Sequence, residues 1–431
     1  MKTEKSKTTN TELAARCHEI QTGLGTTEVP EFDHLIIVGM AIRLALHIRG
    51  LAPIQFEVLK LVGYHYLGIS QHAIRSVVEL LADVEFVKLG TEGKTIKTVV
   101  SNVPYYEDLY ETLGNYALDI GLNEAEQLSV ELVHRLSRSP EKLDTLRTAL
   151  GVENKVFMRA IEVGKEGSYL RSVRARGRDI LLTPNYFSEN PEVYADAVAG
   201  GGAPQIKKIL GALKGAQGYP LSLVEDGKGI GQIKLTDDEI GLLLRLAQDG
   251  AVKPPSITTP HAGENFFLFT PTPSGAALAP SKREIYERAM AIVAAVRQGQ
   301  FLPKKFAIRE PGAVLYKLRC DLKLGKATTE AAQQYKNLVH LRVAQLLDVG
   351  NGYKQLQIID TTENREALDI AYELVNAGAA QGIEVDEDAR RALQQDQTYI
   401  ESLISSGKLQ KTKKVPITAE QQQELDLIFL K

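Results

Sequence analysis

The chain has 431 residues, 44% hydrophobic and 24% charged, with a formal net charge of −3. At roughly 100 to 200 residues per domain, that length excludes a single ordinary core, and the small negative charge excludes a whole-molecule basic field, so any nucleic-acid contact has to come from a local patch. No uncharged apolar run reaches the roughly 18 residues of a spanning helix, and the N-terminus MKTEKSKTTNTELAAR lacks an apolar signal core. A cytoplasmic protein with no membrane partner is therefore expected.

In chain order, residues 1–30 read as a polar N-terminal segment. Within 31–122, Leu35 to Ile48 is apolar but holds Arg43 and His47, which makes it a core helix. "APIQFEVLKLVGYHYLGISQHAIRSVVELLADVEFVKLGTEGKTIKTVV" then predicts a helix, a turn at Leu67-Gly68-Ile69, and a second helix opening at Ser70 as N-cap. That second helix carries Ala73, Ile74, Val77, Val78, Leu80 and Leu81 as a buried stripe, with His72, Arg75 and Glu79 outside. Val84 to Val87 and Thr95 to Val100 flank GTEGK as a hairpin.

Residues 123–200 give two helices separated by Gly151-Val152, with Ser139 as N-cap and Pro140 at the first helical position. A hairpin follows, Tyr169 to Arg176 turning at Gly177-Arg178 into Asp179 to Leu182. In 201–300, QIKKILGALKGA and TDDEIGLLLRLAQDGAV are helices and the hairpin loop falls around Pro260 to Asn265. A looser version of the same order occupies 301–380. Residues 381–431 hold a charged helix (Glu387 to Ser405), a basic run (Lys408, Lys411, Lys413, Lys414) and a tail ending in Leu425, Leu427, Ile428, Phe429 and Leu430.

A β-like run ending in proline and followed by a tyrosine-bearing helix recurs. The prolines are Pro104, Pro184 and Pro271, 80 and 87 residues apart, and the tyrosines are Tyr110, Tyr194 and Tyr286, with Tyr372 in a divergent fourth copy. A near-fixed spacing of this kind marks repeated structural units. Helix, turn, helix and two-stranded wing is an order that resembles the winged-helix superfamily over most of residues 31 to 380. The expected fold is mainly α with small β-hairpins (α+β), in tandem winged-helix-like units.

Catalytic signatures are missing: there is no GxxxxGK[ST], HExxH or GxSxG, and GKGIG at Gly227 to Gly231 has the wrong spacing for a dinucleotide loop. Asp237, Asp238 and Glu239 follow Thr236, a natural N-cap, and acids in a first helical turn suit the dipole. AGGGAP at Ala199 to Pro204 reads as a glycine C-cap followed by a proline helix start. Cys17 and Cys320 are far apart, and Cys17-His18 lacks further ligands at a recognisable spacing. No enzyme activity, no metal and no cofactor are expected.

The densest basic patch of the first 300 residues lies between Lys165 and Arg178, where Lys165, Arg171, Arg174, Arg176 and Arg178 face one acid, Glu166. In a strand, alternation puts Arg174 and Arg176 on one face and Arg171 on the other, with Arg178 at the turn. Arginine suits bidentate phosphate contact, and a hairpin can follow a backbone or enter the minor groove. From Leu51 to Pro104, by contrast, acidic and basic residues balance at five each, which suits a protein partner better than DNA. Lys304, Lys305 and Arg309 are secondary basic candidates. The expectation is non-catalytic binding of duplex DNA through the second wing, with sequence preference from the helix Glu153 to Val163; the alternative is a scaffold that docks protein subunits.

Overall fold

The computed structural model describes residues 9–104, 106–187, 190–249, 252, 256–259, 263–271, 280–301, 307–376, 378, 386–395, 397 and 400. The first pass of elements is α1 (Asn10–Leu24), α2 (His34–Ile48), β1 (Ile54–Gln55), α3 (Phe56–His65), α4 (Ile74–Asp83), β2 (Val87–Glu92), β3 (Thr95–Ser101) and α5 (Tyr106–Ile120). The second is α6 (Glu124–Leu136), β4 (Glu141–Lys142), α7 (Leu143–Leu150), α8 (Asn154–Glu166), β5 (Arg171–Ala175) and β6 (Arg178–Leu182), then α9 (Pro184–Phe187) and α10 (Pro191–Ala199). The third is α11 (Ala203–Lys214), β7 (Tyr219–Pro220), α12 (Leu221–Gly227), β8 (Gly229–Ile230), β9 (Ile233–Lys234), α13 (Asp237–Gln248), β10 (Ser256–Thr259), β11 (Gly263–Leu268) and α14 (Pro280–Gln298). The last is α15 (Pro311–Asp321), α16 (Ala331–Gln334), α17 (Lys336–His340), β12 (Ala344–Gly350), β13 (Tyr353–Ile358), α18 (Thr362–Asn376) and α19 (Glu387–Leu393).

The protein is thus mainly helical with small antiparallel sheets of two or three strands. One sheet topology repeats. The short strand after the opening helix pairs with the last strand of the hairpin, giving the orders β1-β3-β2, β4-β6-β5 and β7-β11-β10. In the fourth pass Lys323 and Thr328 bridge Gln357 and Lys354 of β13, on the side away from β12. Among the described residues no helix is long and apolar enough to cross a membrane.

Local chemistry explains the element ends. Thr9 with Glu12, Asn123 with Glu126 and Thr236 with Glu239 form reciprocal capping boxes at the starts of α1, α6 and α13, each satisfying orphan amides. The third box shows why three acids follow Thr236: Glu239 closes the cap and also accepts from Lys208 Nζ at 2.7 Å. Gly151 ends α7 in the left-handed region at φ 65°, where a side chain would be strained. In α4 the stripe Ile74, Val77, Val78, Leu80 and Leu81 is buried while Arg75 and Glu79 are exposed, as the periodicity predicts, but the helix opens at Ile74 with Ala73 rather than Ser70 as N-cap, and His72 lies in the turn before it.

Several expectations shift. Ser139 and Pro140 do not open a helix: Glu141 and Lys142 pair with Leu181 and Ile180 of β6 as a strand, and α7 starts after them. The first hairpin turns at Gly93-Lys94, so Gly90, Thr91 and Glu92 of GTEGK lie inside β2 with a bulge at Gly90/Thr91. Ahead of the β10–β11 hairpin the third pass has three helices rather than two, because α12 and the hairpin β8–β9 separate α11 from α13. Asn265 is a strand residue opposite Ile257 rather than a loop residue. The helix expected over Glu387 to Ser405 is seen from Glu387 to Leu393, and the basic run and apolar tail beyond it lie outside the described residues.

Helix α1 is gripped on both sides. A Cβ on Gly39 of α2 would approach Cys17 O to 2.6 Å, and one on Gly114 of α5 would meet the backbone of Asn10, so glycine at both positions permits the close approach. From α1, Arg16 Nη1 donates to Glu19 Oε2 at 2.5 Å and to Tyr186 OH at 2.7 Å, and Tyr186 OH donates to Glu19 Oε1. This buried network anchors α9, the segment that leaves the second hairpin. At the other end of the chain, Arg390 of α19 donates to the carbonyls of His47 and Arg49 at 2.9 and 3.1 Å, covering the last turn of α2. His47 Nδ1 donates to Arg43 O, and its Nε2 accepts from Asp386 N at 2.8 Å, an arrangement that requires a neutral ring. Burial pushes the His47 ring down to about 3.

Candidate nucleic-acid interface

The second hairpin is built around β6, the centre strand of its sheet. Ile180, Leu181 and Leu182 are fully buried because β4 and β5 flank β6 on both edges and α7 and α10 pack against it. Arg176 and Gly177 form a two-residue turn with φ of 47° and 74°, closing the pair Ala175 and Arg178. Two consecutive left-handed residues are what a tight twisted hairpin needs. The turn is therefore one residue earlier than Gly177-Arg178. Strand alternation stops at Ala175, so Arg176 does not continue the Arg174 face.

The five cations of the patch separate into two groups. Arg171, Arg174, Arg176, Arg178 and Lys165, the last in the final turn of α8, are all exposed. Arg176 makes a bidentate pair with Asp196 of α10, Nε to Oδ1 at 2.7 Å and Nη2 to Oδ2 at 2.6 Å. That hydrogen-bonded guanidinium holds the Asp196 carboxyl below its usual range. Arg171 Nη2 lies 3.6 Å from Glu192 Oε1, one helical turn earlier on α10. Lys165, Arg174 and Arg178 have no ion pair or hydrogen bond with any described residue. Two arginines thus fasten the hairpin to α10, and three cations stay open to solvent.

Helix α8 stands beside this hairpin. Phe157, Ala160, Ile161 and Val163 bury its inner face, while Asn154, Lys155, Met158, Arg159, Glu162 and Lys165 are exposed. Arg159 is engaged by Glu31 Oε1 at 3.0 Å and Glu162 Oε2 at 3.2 Å. Lys155 is a further open cation, ten residues before the dense basic run. Glu192 and Asp196 were also illegible as partners, because the pairing joins residues 20 apart across a hairpin and a helix.

Elsewhere the basic candidates are weaker or unseen. Arg75 of α4 is paired with Glu79 at 2.8 Å and donates to Lys94 O. Lys304 and Lys305 lie outside the described residues; Arg309 is exposed. Cys17 is fully buried and its thiol is pushed up to about 12, so it stays protonated and unreactive. Among the described residues no group of three or more His, Cys, Asp or Glu side chains is placed to hold a metal ion. No protein-family model matches the chain, and neither does any curated protein or solved structure.

Proposed function

We propose that the chain is a tandem array of winged-helix-like units that binds duplex DNA without catalysis through its second unit. The observation that carries this reading is a set of three open cations, Arg174 and Arg178 on a hairpin paired to α10 and Lys165 at the end of α8 beside it. Register pairs Arg174 with Asp179 and Arg178 with Ala175, so the two arginines leave opposite faces of the hairpin tip; on this reading the tip inserts between phosphates that each arginine meets from its own side, while Asn154, Lys155 and Met158 of α8 are the side chains available to base edges. The repeated strand order, in which the strand after the first helix joins the far side of a hairpin, supports the winged-helix reading. Affinity on this account is largely electrostatic and sequence-independent, with modest preference from α8.

A photo-crosslinking amino acid at Arg178 tests the placement. Crosslinking to a labelled duplex from Arg178, with none from a control position at Val349 of β12, is the expected result. A duplex captured from Val349 and not from Arg178 would falsify the assignment.

A further inference from the structure

The recurring tyrosine does not have one fate. Tyr110, Tyr194 and Tyr286 are buried in their cores, but Tyr372 of α18 is only half-buried. It lies where the end of α18 meets the start of α15, and there the two helices leave a shallow groove of about 520 Å³. Glu310, Pro311, Ala313, Tyr316, Tyr372 and Asn376 line it. The ring centroids of Tyr316 and Tyr372 are 6.1 Å apart, and Tyr316 is 56% exposed, so the floor of the groove is two tyrosine rings side by side.

The fold holds this floor in place. The Arg319 guanidinium sits 4.7 Å from the centre of the Tyr372 ring and donates to Asp369 Oδ1 at 2.6 Å, which fixes the ring from the side. Gly312 lets the start of α15 come close to α18, since a Cβ there would approach Asn376 Oδ1 to 2.7 Å. Neither tyrosine hydroxyl has a hydrogen-bond partner among the described residues, and the exposed Glu310 carboxylate has no ion pair among them. Asn376 Nδ2 donates to Tyr372 O and keeps a second proton to give.

This chemistry selects among partners. Every lining residue belongs to α15, to α18 or to the N-cap of α15, so no strand edge is offered for β-addition. An amphipathic helix needs a long apolar trough for its i, i+3, i+4 and i+7 anchors, and beyond the tyrosines only Pro311, Ala313 and Val375 are apolar here. Nucleic acid would stack on the rings but needs cations along its backbone; no lining residue is a cation, and Arg319 is already engaged by Asp369. A polyproline II segment fits each feature. Its pyrrolidine rings pack on aromatic faces, and its carbonyls carry no internal hydrogen bonds and accept from donors such as the tyrosine hydroxyls and Asn376. Glu310 at the end of the groove adds a preference for a flanking basic residue.

We propose that the α15–α18 groove is a docking site for a proline-rich peptide segment flanked by a basic residue. The contact is small and the ligand is preformed, so binding is weak, with a dissociation constant on the order of 10–100 μM. It is independent of DNA binding by the second unit.

Fluorescence anisotropy of the full chain with a labelled oligoproline peptide, flanked by lysine at both ends, tests it. Saturable binding is expected, with none to a glycine–serine peptide carrying the same lysines. Tyr316→Ala, at an exposed position, should weaken binding about tenfold, while Tyr316→Phe keeps the ring and should stay within about threefold of wild type. Glu310→Lys should weaken the lysine-flanked peptide about fivefold and bind a glutamate-flanked oligoproline better than wild type does, a reversal that a misfolded variant cannot show. Equal binding of the glycine–serine peptide, no binding of the oligoproline, or indifference to Tyr316→Ala would overturn the proposal. So would a single-stranded oligonucleotide whose binding depends on Tyr316 when the oligoproline does not bind.

Discussion

The division of the arginines into fastened and open groups has a quantitative consequence for salt dependence. Each phosphate neutralised on duplex DNA contributes about −0.9 to the slope of log K against log salt. If Lys165, Arg174 and Arg178 are the cations that reach phosphate, this patch supplies a slope of about −2.7, and affinity from it falls about 40-fold between 50 and 200 mM salt. Were all five cations of the patch engaged, the slope would be about −4.5 and the fall about 500-fold. Replacing Arg174 and Arg178 together by alanine should make the slope shallower by about 1.8 units. Replacing Arg171 and Arg176, whose charges are already met by Glu192 and Asp196, should move it far less. Fluorescence anisotropy with one labelled duplex, titrated at several salt concentrations for the wild type and both double variants, measures these differences directly. Equal changes in slope for the two double variants, or a larger one for Arg171 and Arg176, would refute the division.

Further consequences follow from the same contacts. Glu192→Gln with Asp196→Asn frees Arg171 and Arg176 and removes two negative charges beside the β5–β6 hairpin; affinity for duplex DNA should rise several-fold and the salt slope steepen by up to about 1.8 units, and a loss of affinity would show that the pairs serve binding. Gly114→Ala sets a helix-propensity gain of about 1 kcal/mol against overpacking of about 1–3 kcal/mol where the new methyl meets the Asn10 backbone. Overpacking should win by about 1 kcal/mol, and a variant as stable as wild type in urea unfolding would contradict the tight seating of α1. His18 and His47 are held neutral by burial, each pushed down to about 3, and His134 to about 4. Because their folded values lie below the ordinary 6.5, their contribution to stability is present above pH 6.5 and is lost as pH falls towards those values, by up to about 1.4 kcal/mol per pH unit for each ring. Urea midpoints should therefore drop between pH 7 and pH 5, and a flat profile would count against neutral buried rings.

The parts of the fold legible in the sequence are those with strong local signals. The α4 stripe has clear helical spacing, Thr236 followed by acids marks a cap, and the run of Arg171 to Leu182 with its Arg-Gly turn marks a hairpin to within one residue. The parts that stayed hidden are short or non-local. β4 is two residues long, too short for any alternation, and it follows a serine and proline that also suit a helix start. α12 is seven residues long and lies in a stretch whose glycines suggest a loop. At the candidate site the basic residues were readable from composition, but their roles were not: whether an arginine is fastened or open depends on Glu192 and Asp196, placed opposite it only once α10 folds back along β5 and β6.

The central claim is that the isolated chain binds duplex DNA by charge. The most direct test is anisotropy of a labelled duplex of about 30 base pairs, three turns of the double helix, with the purified wild-type protein at 50 and at 200 mM salt. The account requires saturable binding at 50 mM that weakens at least about 40-fold at 200 mM. No binding at 50 mM would contradict it and leave the chain as a protein-docking scaffold.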